Sequence, residues 1–258
     1  GIIEKEIDII REMGAEIKCG VEVGKDITLD QLRAEGYKAF YIAIGLQGGR
    51  LAGVPGEDAK GVESGVSFLR RINQDTSIKL DGDVVVVGGG NVAADVARAA
   101  VRATDGKVTM LSLEQRDEMP AAKDEIAEVL EEGIVIENGW GPKEIVSKDG
   151  KVTSVIFKKC TSVIDEDGKF NPSYDESVTE KVDAQTIILA IGQRIDWGNL
   201  LDGTKIETGR GNAVNVAPLS FQTAEEDVFA GGDVVTGPRF AIDAIASGKE
   251  GAHSIFRY

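Results

Sequence analysis

Gly88, Gly90 and Ala93 stand in the spacing G-x-G-x-x-A, and the residues on either side decide what that spacing can do. Four consecutive valines, Val84 to Val87, precede the glycines and predict a strand buried on both faces. From Asn91 the small and apolar residues recur at helical spacing as far as Ala103. In such a strand–turn–helix unit Gly88 permits the tight turn. Gly90 lets the backbone approach a pyrophosphate, and Ala93 lets the helix pack close to the strand. The helix start offers free N–H groups and a partial positive charge to phosphates. Gly89 and Val92 complete the run, which predicts dinucleotide binding.

A second group of ligand-competent residues lies in the tail. Asp227 to Ala230 reads as a strand running into Gly231-Gly232-Asp233, and a helix is expected from about Phe240 to Phe256. An Asp on such a turn can accept hydrogen bonds from sugar hydroxyls. The helix start behind it can stabilise negative charge.

These residues need elements to hold them. Helices are expected over Ile2–Met13, with Ile3, Ile7 and Ile10 on one face and Gly14 as the stop, from Thr28, a candidate N-cap, and over Gly65–Asn73 and Asp124–Glu132. Strands are expected over Glu16–Val23, Lys38–Ile44, Lys107–Leu113, Ile134–Ile136 and Val182–Ile191. A hairpin is expected from Glu144–Val146 and Val152–Lys158, turning at Lys148–Lys151. Asp165–Asp175 reads as a polar loop. Its acidic run has glycine too early for a calcium loop and is expected to be a solvated turn. The endings Ala43-Ile44-Gly45 and Ala190-Ile191-Gly192 form a weak internal repeat. By the spacing that separates Gly88 from Gly192, a fingerprint for the first module would begin roughly 60 residues before Gly1. The chain is therefore expected to be a fragment of a longer protein, cut inside its first dinucleotide domain.

Composition narrows the partners. The 258 residues carry a formal charge of -15 and no basic run, which makes nucleic acid and anionic membrane poor partners. No apolar run is long enough to span a bilayer. Cys19 and Cys160 are far apart in sequence and form no C-x-x-C, so neither a thiol redox pair nor an iron–sulfur site is expected, and a reducing cytoplasm suits this usage. No metal site is expected. His253, the one histidine, and Trp140 and Trp197 are read as surface or packing residues.

Four motifs occur in one order: Val87-Gly88-Gly89-Gly90-Asn91-Val92-Ala93-Ala94-Asp95, Glu118-Met119-Pro120-Ala121, Ala190-Ile191-Gly192-Gln193, and Phe229 to Pro238. Together they resemble the small (beta) subunit of glutamate synthase and its FAD/NAD(P)-linked relatives, including the matching part of dihydropyrimidine dehydrogenase. The resemblance implies an α/β fold: a Rossmann-like NAD(P)-binding domain, with a parallel sheet plus a β-meander in three layers, inserted in a partial FAD-binding domain. It implies residues 1–60 as a first FAD segment, 61–192 as the NAD(P) domain and 193–258 as the C-terminal FAD segment. It further implies hydride transfer from NAD(P)H to FAD, with electrons leaving through iron–sulfur clusters or a partner subunit. No catalytic side chain is expected, because hydride transfer needs position and electrostatics.

The resemblance also assigns residues. Gly232 and Asp233 match the part that binds the ribityl and pyrophosphate of FAD. The turn from Pro238 to Ala241 matches the helix start facing the flavin. Asn91 and Asp95 match the nicotinamide end, and Gly192 and Gln193 belong to the cofactor-binding strand end. NADP-using relatives carry Tyr-Arg-Arg where this chain has Ser112, Leu113 and Glu114, whereas Arg116 matches a basic position of those relatives. With Gln115 between them, Glu114 favours NAD and Arg116 favours NADP; the exchange of two arginines decides for NAD, with NADP the alternative. The FAD fingerprint and the cysteine-rich segment of the family are absent from the sequence. A non-catalytic NAD-binding regulatory module is the alternative to an enzyme.

Overall fold

The computed structural model describes residues 1–258, which divide into two compact units: Gly1–Gly45 with Ile195–Tyr258, and Leu46–Arg194. The chain begins in the first unit, runs through the second and returns. Residues 46–60, grouped with 1–45 on sequence, belong by their contacts to the second unit.

In the first unit α1 (Ile2–Glu12) is followed by α2 (Leu29–Ala34) and β1 (Phe40–Ile42). The expected strand over Glu16–Val23 does not form. Those residues find no partner for a ladder, and only Val23 makes an isolated bridge, to Ile27; an extended segment without a neighbour is not a strand. The isoleucine face of α1 is largely exposed, with Ile3 76 % and Ile10 50 % exposed. Thr28 does cap α2, accepting from the Gln31 N–H at 3.2 Å while Gln31 Oε1 accepts from the Thr28 N–H at 2.8 Å.

The second unit opens with β2 (Gly48–Gly49), β3 (Val62–Ser64) and α3 (Gly65–Gln74). Next come β4 (Val84–Val87), α4 (Asn91–Ala103) and β5 (Val108–Ser112). Then follow α5 (Lys123–Glu131), β6 (Val135–Asn138), β7 (Trp140–Lys148), β8 (Lys151–Ile164) and β9 (Phe170–Asp183). β10 (Thr186–Leu189) and β11 (Gln193–Arg194) close the unit. The segment read as a polar loop over Asp165–Asp175 is mostly strand. Only the tip from Asp165 to Lys169 turns, with Asp165 Oδ1 accepting the Asp167 and Lys169 N–H groups. The strand expected over Val182–Ile191 is the end of β9 and all of β10, which lie in different sheets.

Five parallel strands run in the order β3-β10-β4-β5-β6, and β7-β8-β9 form an antiparallel sheet. The valines of β4 connect two cores. Val84 and Val86 point into one with Phe68, Ala93, Ala97 and Met110, beneath α3, α4 and α5. Val85 and Val87 point into the other with Leu111, Ile145, Val155, Phe157 and Ile187, beneath the antiparallel sheet. The expected three layers are thus helices, parallel sheet and meander. Each buried valine contributes about 1.5–3 kcal/mol.

Back in the first unit, β12 (Val228–Ala230) pairs in parallel with β1, followed by α6 (Asp233–Thr236) and α7 (Ala241–Arg257). Arg33 of α2 holds the start of β12. Its Nε and Nη2 donate to the two carboxylate oxygens of Asp227 at 2.7 and 2.8 Å. The Arg33 hydrogen bond holds the Asp227 carboxyl below the ordinary carboxylate range. That stability is complete above the ordinary range and is lost as pH falls through the depressed value. Arg33→Ala should cost about 1–3 kcal/mol in denaturant titration of the whole chain at neutral pH, and less in acid. An equal loss at both pH values would contradict this account.

Candidate dinucleotide site

The parallel sheet has its switch point beside β4. The chain leaves β4 through α4 to β5 and then β6 on one side, whereas β10 lies on the other side. Ligands of such sheets sit outside the carboxyl ends of the strands at that point. The residues brought to this edge are Gly88–Ala93, Glu114–Arg116 and Gly192–Gln193.

The three glycines differ in what constrains them. Gly88 has φ +145°, its N–H donates to the Leu111 carbonyl at 2.8 Å, and a Cβ there would collide with the Ala190 carbonyl oxygen. A Cβ on Gly89 would stand 2.5 Å from Glu114 Oε2 and 3.0 Å from the Ser112 Cβ. Gly90, the N-cap of α4, has nothing within 4 Å of such an atom and a φ of -95° that any residue accepts. Ala93 is fully buried, and its Cβ lies 3.3 Å from where a Gly88 Cβ would be, so helix and strand touch there. Val92 packs partly buried against the helix-side core.

Other residues have less direct places. Asn91 Oδ1 accepts the Ala122 N–H at 2.8 Å, and the Gly89 carbonyl accepts the Ala121 N–H at 3.0 Å. Asn91 therefore ties the segment before α5 to the glycine turn. Asp95 lines a cleft of about 540 Å³ between α3 and α4, with Leu69, Ile72, Arg98 and Arg102. Desolvation raises its carboxyl against the pull of Arg98. Burial likewise raises the Glu114 carboxyl, opposed by its own N–H and assisted by Glu118. Gln115 and Arg116 are exposed, and Arg116 Nη2 donates to the Ile136 carbonyl at 3.4 Å. Gly192 has φ +114°, with the Arg50 Cδ 3.3 Å from its Cβ position. Gln193 pairs with Gly49, and its Nε2 donates to the Leu46 carbonyl at 3.4 Å.

Gly232, Asp233, Pro238 and Ala241 lie in the other unit. Gly232 has φ +74°, and its N–H donates to Ser247 Oγ at 2.8 Å. Asp233 Oδ1 accepts the Arg239 N–H at 3.2 Å, while Pro238 and Ala241 are exposed. Gly231 has no room for a side chain because the Tyr41 hydroxyl occupies the space, itself donating to the Ser247 carbonyl at 2.9 Å.

Sequence reasoning missed Asn138 and Gly139, and the hydrogen bond that Ser112 makes; all three donate to the Glu114 carbonyl. Their signal was positional: Asn138-Gly139 ends the strand next to β5 with a turn residue, at the edge where ligands sit.

The profile of one family, described as pyridine nucleotide-disulphide oxidoreductase, matches residues 4–248. The chain belongs to this family. It is 36 % identical to the NADP(+)-dependent formate dehydrogenase subunit beta of Moorella thermoacetica, across all of this chain and 36 % of that one. It is 30 % identical to the glutamate synthase [NADPH] small chain of Halomonas elongata, across all of this chain and 57 % of that one. The NAD-dependent dihydropyrimidine dehydrogenase subunit PreT of Escherichia coli is 33 % identical, again across all of this chain and 56 % of that one. The resemblance drawn from the four motifs is therefore borne out. The chain spans between about a third and just over half of these relatives' lengths. Among solved structures, Mycobacterium tuberculosis FprA in complex with NADPH matches the fold with a TM-score of 0.74 at 18 % identity, over 98 % of this chain and 71 % of that one. The family's description names a disulphide, whereas Cys19 and Cys160 are both free. No helix is long and apolar enough to cross a membrane.

The glycines separate fold from ligand. Gly88→Ala should lower stability by about 1–3 kcal/mol through its backbone conformation and further through the Ala190 collision. Gly90→Ala should stay within about 0.5 kcal/mol of the parent. Paired thermal melts measure this, and a larger loss from Gly90→Ala would contradict the assignment of its open side.

Proposed function

We propose that the Leu46–Arg194 unit binds a nicotinamide dinucleotide, its pyrophosphate lying over Gly88, Gly89 and Gly90 at the start of α4. The single observation that carries this is the open side of Gly90, which follows a crowded Gly88 and a crowded Gly89. The backbone can approach a ligand only where no side chain intervenes, and free N–H groups at a helix start suit a diphosphate. Ala93 and Val92 hold the helix against the strand. Asn91, by accepting from the Ala122 N–H, ties the segment before α5 to the turn. Gly192 and Gln193 form the adjoining wall beside β10, and Asp95 belongs to the side of α4 that faces α3.

The whole protein is proposed to be a flavoprotein oxidoreductase resembling the glutamate synthase small subunit, in which this chain supplies the pyridine-nucleotide portion. When bound, the nicotinamide supplies a hydride and FAD accepts it. The relatives' names support this reading, since they describe NAD- or NADP-dependent subunits or chains of redox enzymes. In the first unit Gly232, Asp233, Pro238 and Ala241 are proposed to bind FAD. The left-handed Gly232 brings the backbone N–H of that turn close to α7, and Asp233 offers a carboxylate to sugar hydroxyls. The start of α7 would favour negative charge on the flavin. The residues of this chain bind and orient, and none is needed to carry a proton. Partners would be an iron–sulfur domain or a second redox subunit.

Gly90→Val should reduce NADH affinity at least tenfold in calorimetry, with an unchanged melt of the unliganded protein. Undiminished NADH binding by the folded variant would overturn the site. In the full-length protein NADH should bleach the flavin absorbance anaerobically. Binding without bleaching would instead favour a regulatory module.

A further inference from the structure

β2 and β11 pair Gly49 with Gln193 and Gly48 with Arg194, and the Arg50 N–H donates to the Gly192 carbonyl at 3.1 Å. Carried one residue further, the register sets Arg50 opposite Gly192. Residues two apart on a strand share a face, so Arg50 and Arg194 stand on the same face as diagonal neighbours. Each lies on a glycine of the opposing segment. A Cβ on Gly192 would meet the Arg50 Cδ at 3.3 Å, and one on Gly48 would meet the Arg194 Cγ at 2.7 Å. Each arginine is also fastened by its Nε, Arg50 to the Gln193 carbonyl at 3.1 Å and Arg194 to the Gly49 carbonyl at 3.2 Å. The stems are thus held, and the outer nitrogens of both guanidinium groups are left over.

Neither arginine makes an ion pair, although the chain carries 44 acidic residues against 29 basic ones. Glu57, the carboxylate nearest to Arg50 in sequence, is taken up by the Ala52 and Gly53 N–H groups at 2.7 and 3.0 Å. Two like charges on one face repel each other. They stand uncompensated beside Gly192, just past the end of β10, the strand whose Ala190 carbonyl abuts Gly88. A dinucleotide crossing a switch point sets its adenosine half on the side of the second strand, here β5. Its nicotinamide half then falls on the side of β10. That ring is neutral when reduced and positively charged when oxidised.

We propose that Arg50 and Arg194 form a cationic pair at the β10 end of the dinucleotide site, which favours the reduced nicotinamide dinucleotide over the oxidised one. The inference rests on the dinucleotide reading of the glycine turn and deepens it by assigning a preference between the two redox states of the ligand. Repulsion from the arginines acts on the pyridinium of the oxidised form and has no counterpart in the neutral dihydropyridine. The diphosphate and the adenosine half are common to both forms, so any attraction of the arginines for the diphosphate cancels in the comparison. Once the ring has given its hydride to the flavin it is a cation, and the pair then opposes its retention.

The test is calorimetric titration of the whole chain with NADH, NAD+ and ADP-ribose. The unmodified protein should bind NADH more tightly than NAD+. Joint replacement, Arg50→Gln with Arg194→Gln, should lower that preference about threefold or more, and added salt should lower it in the unmodified protein, because exposed charges are screened. ADP-ribose, which lacks the ring, should follow NADH. Arg50→Lys with Arg194→Lys keeps the charges but not the Nε hydrogen bonds, and should retain the preference. Either single glutamine variant gives the same readout if the double variant does not fold. Equal or tighter binding of NAD+ by the unmodified protein, or an equal change for both redox states in the glutamine variants, overturns the preference and leaves the dinucleotide site standing. Loss of the preference in the lysine variant as well overturns the role of charge. Binding of none of the three compounds overturns the dinucleotide reading together with the inference.

Discussion

The burial of β4 on both faces is the constraint on which the second unit depends. Val84 and Val86 close one core and Val85 and Val87 the other. The backbone of this strand is committed as well, paired on one side with β5 and on the other with β10. Neither a polar side chain nor a free backbone group is therefore to be found along the strand. Polar chemistry can begin only where the ladder ends, at Gly88, and must begin with the backbone. This is why the surface proposed to face the ligand is a turn of backbone groups. The small residues of α4 follow from the same constraint. Ala93, Ala94, Ala97 and Ala100 have no exposed surface because the helix lies against a strand that is already full.

The glycines of the turn answer to different neighbours. Gly88 is set by the Ala190 carbonyl of β10, Gly89 by the Glu114 carboxylate at the end of β5, and Gly90 by nothing in the protein. The turn therefore joins three strands of the sheet: it leaves β4, abuts β10 on one side and meets the residue after β5 on the other. The N–H groups of Ala121 and Ala122 add a fourth element, the segment that starts α5. A substitution that displaces any of these neighbours would shift the turn itself.

What could be read in the sequence was what local pattern determines. The valine run, the glycine spacing, the Thr28 cap and the hairpin at Lys148–Lys151 depend on residues within a few positions of each other, and each formed as expected. Pairing across long separations was not legible. Glu16–Val23 has strand-like residues but no neighbour, so it stays irregular. Phe170–Asp183 has loop-like residues but a long neighbour in β8, so it is a strand that buries none of its residues. Its polarity concealed it because an edge strand with two solvated faces needs no apolar alternation. In the site, the fingerprint and Glu114 were visible as residue types. The roles of Ser112, Asn138 and Asn91 were not, because each is defined by a partner on another strand or helix.

Charge gives the last constraint. With a formal charge of -15 the chain as a whole repels anions, the proposed diphosphate among them. At physiological ionic strength, however, exposed charges farther away than about 8 Å are largely screened. The balance is therefore set by the few groups at the strand ends. The N–H groups at the start of α4 are fixed and cannot be neutralised, so attraction for a diphosphate persists at any pH the fold survives. Glu114 is half-buried, where screening is weaker, and it is held within reach of the same turn. One end of the site thus attracts negative charge while the other resists it. That distribution suits the proposed diphosphate at the helix start and leaves Glu114 opposing further negative charge beside Gly89.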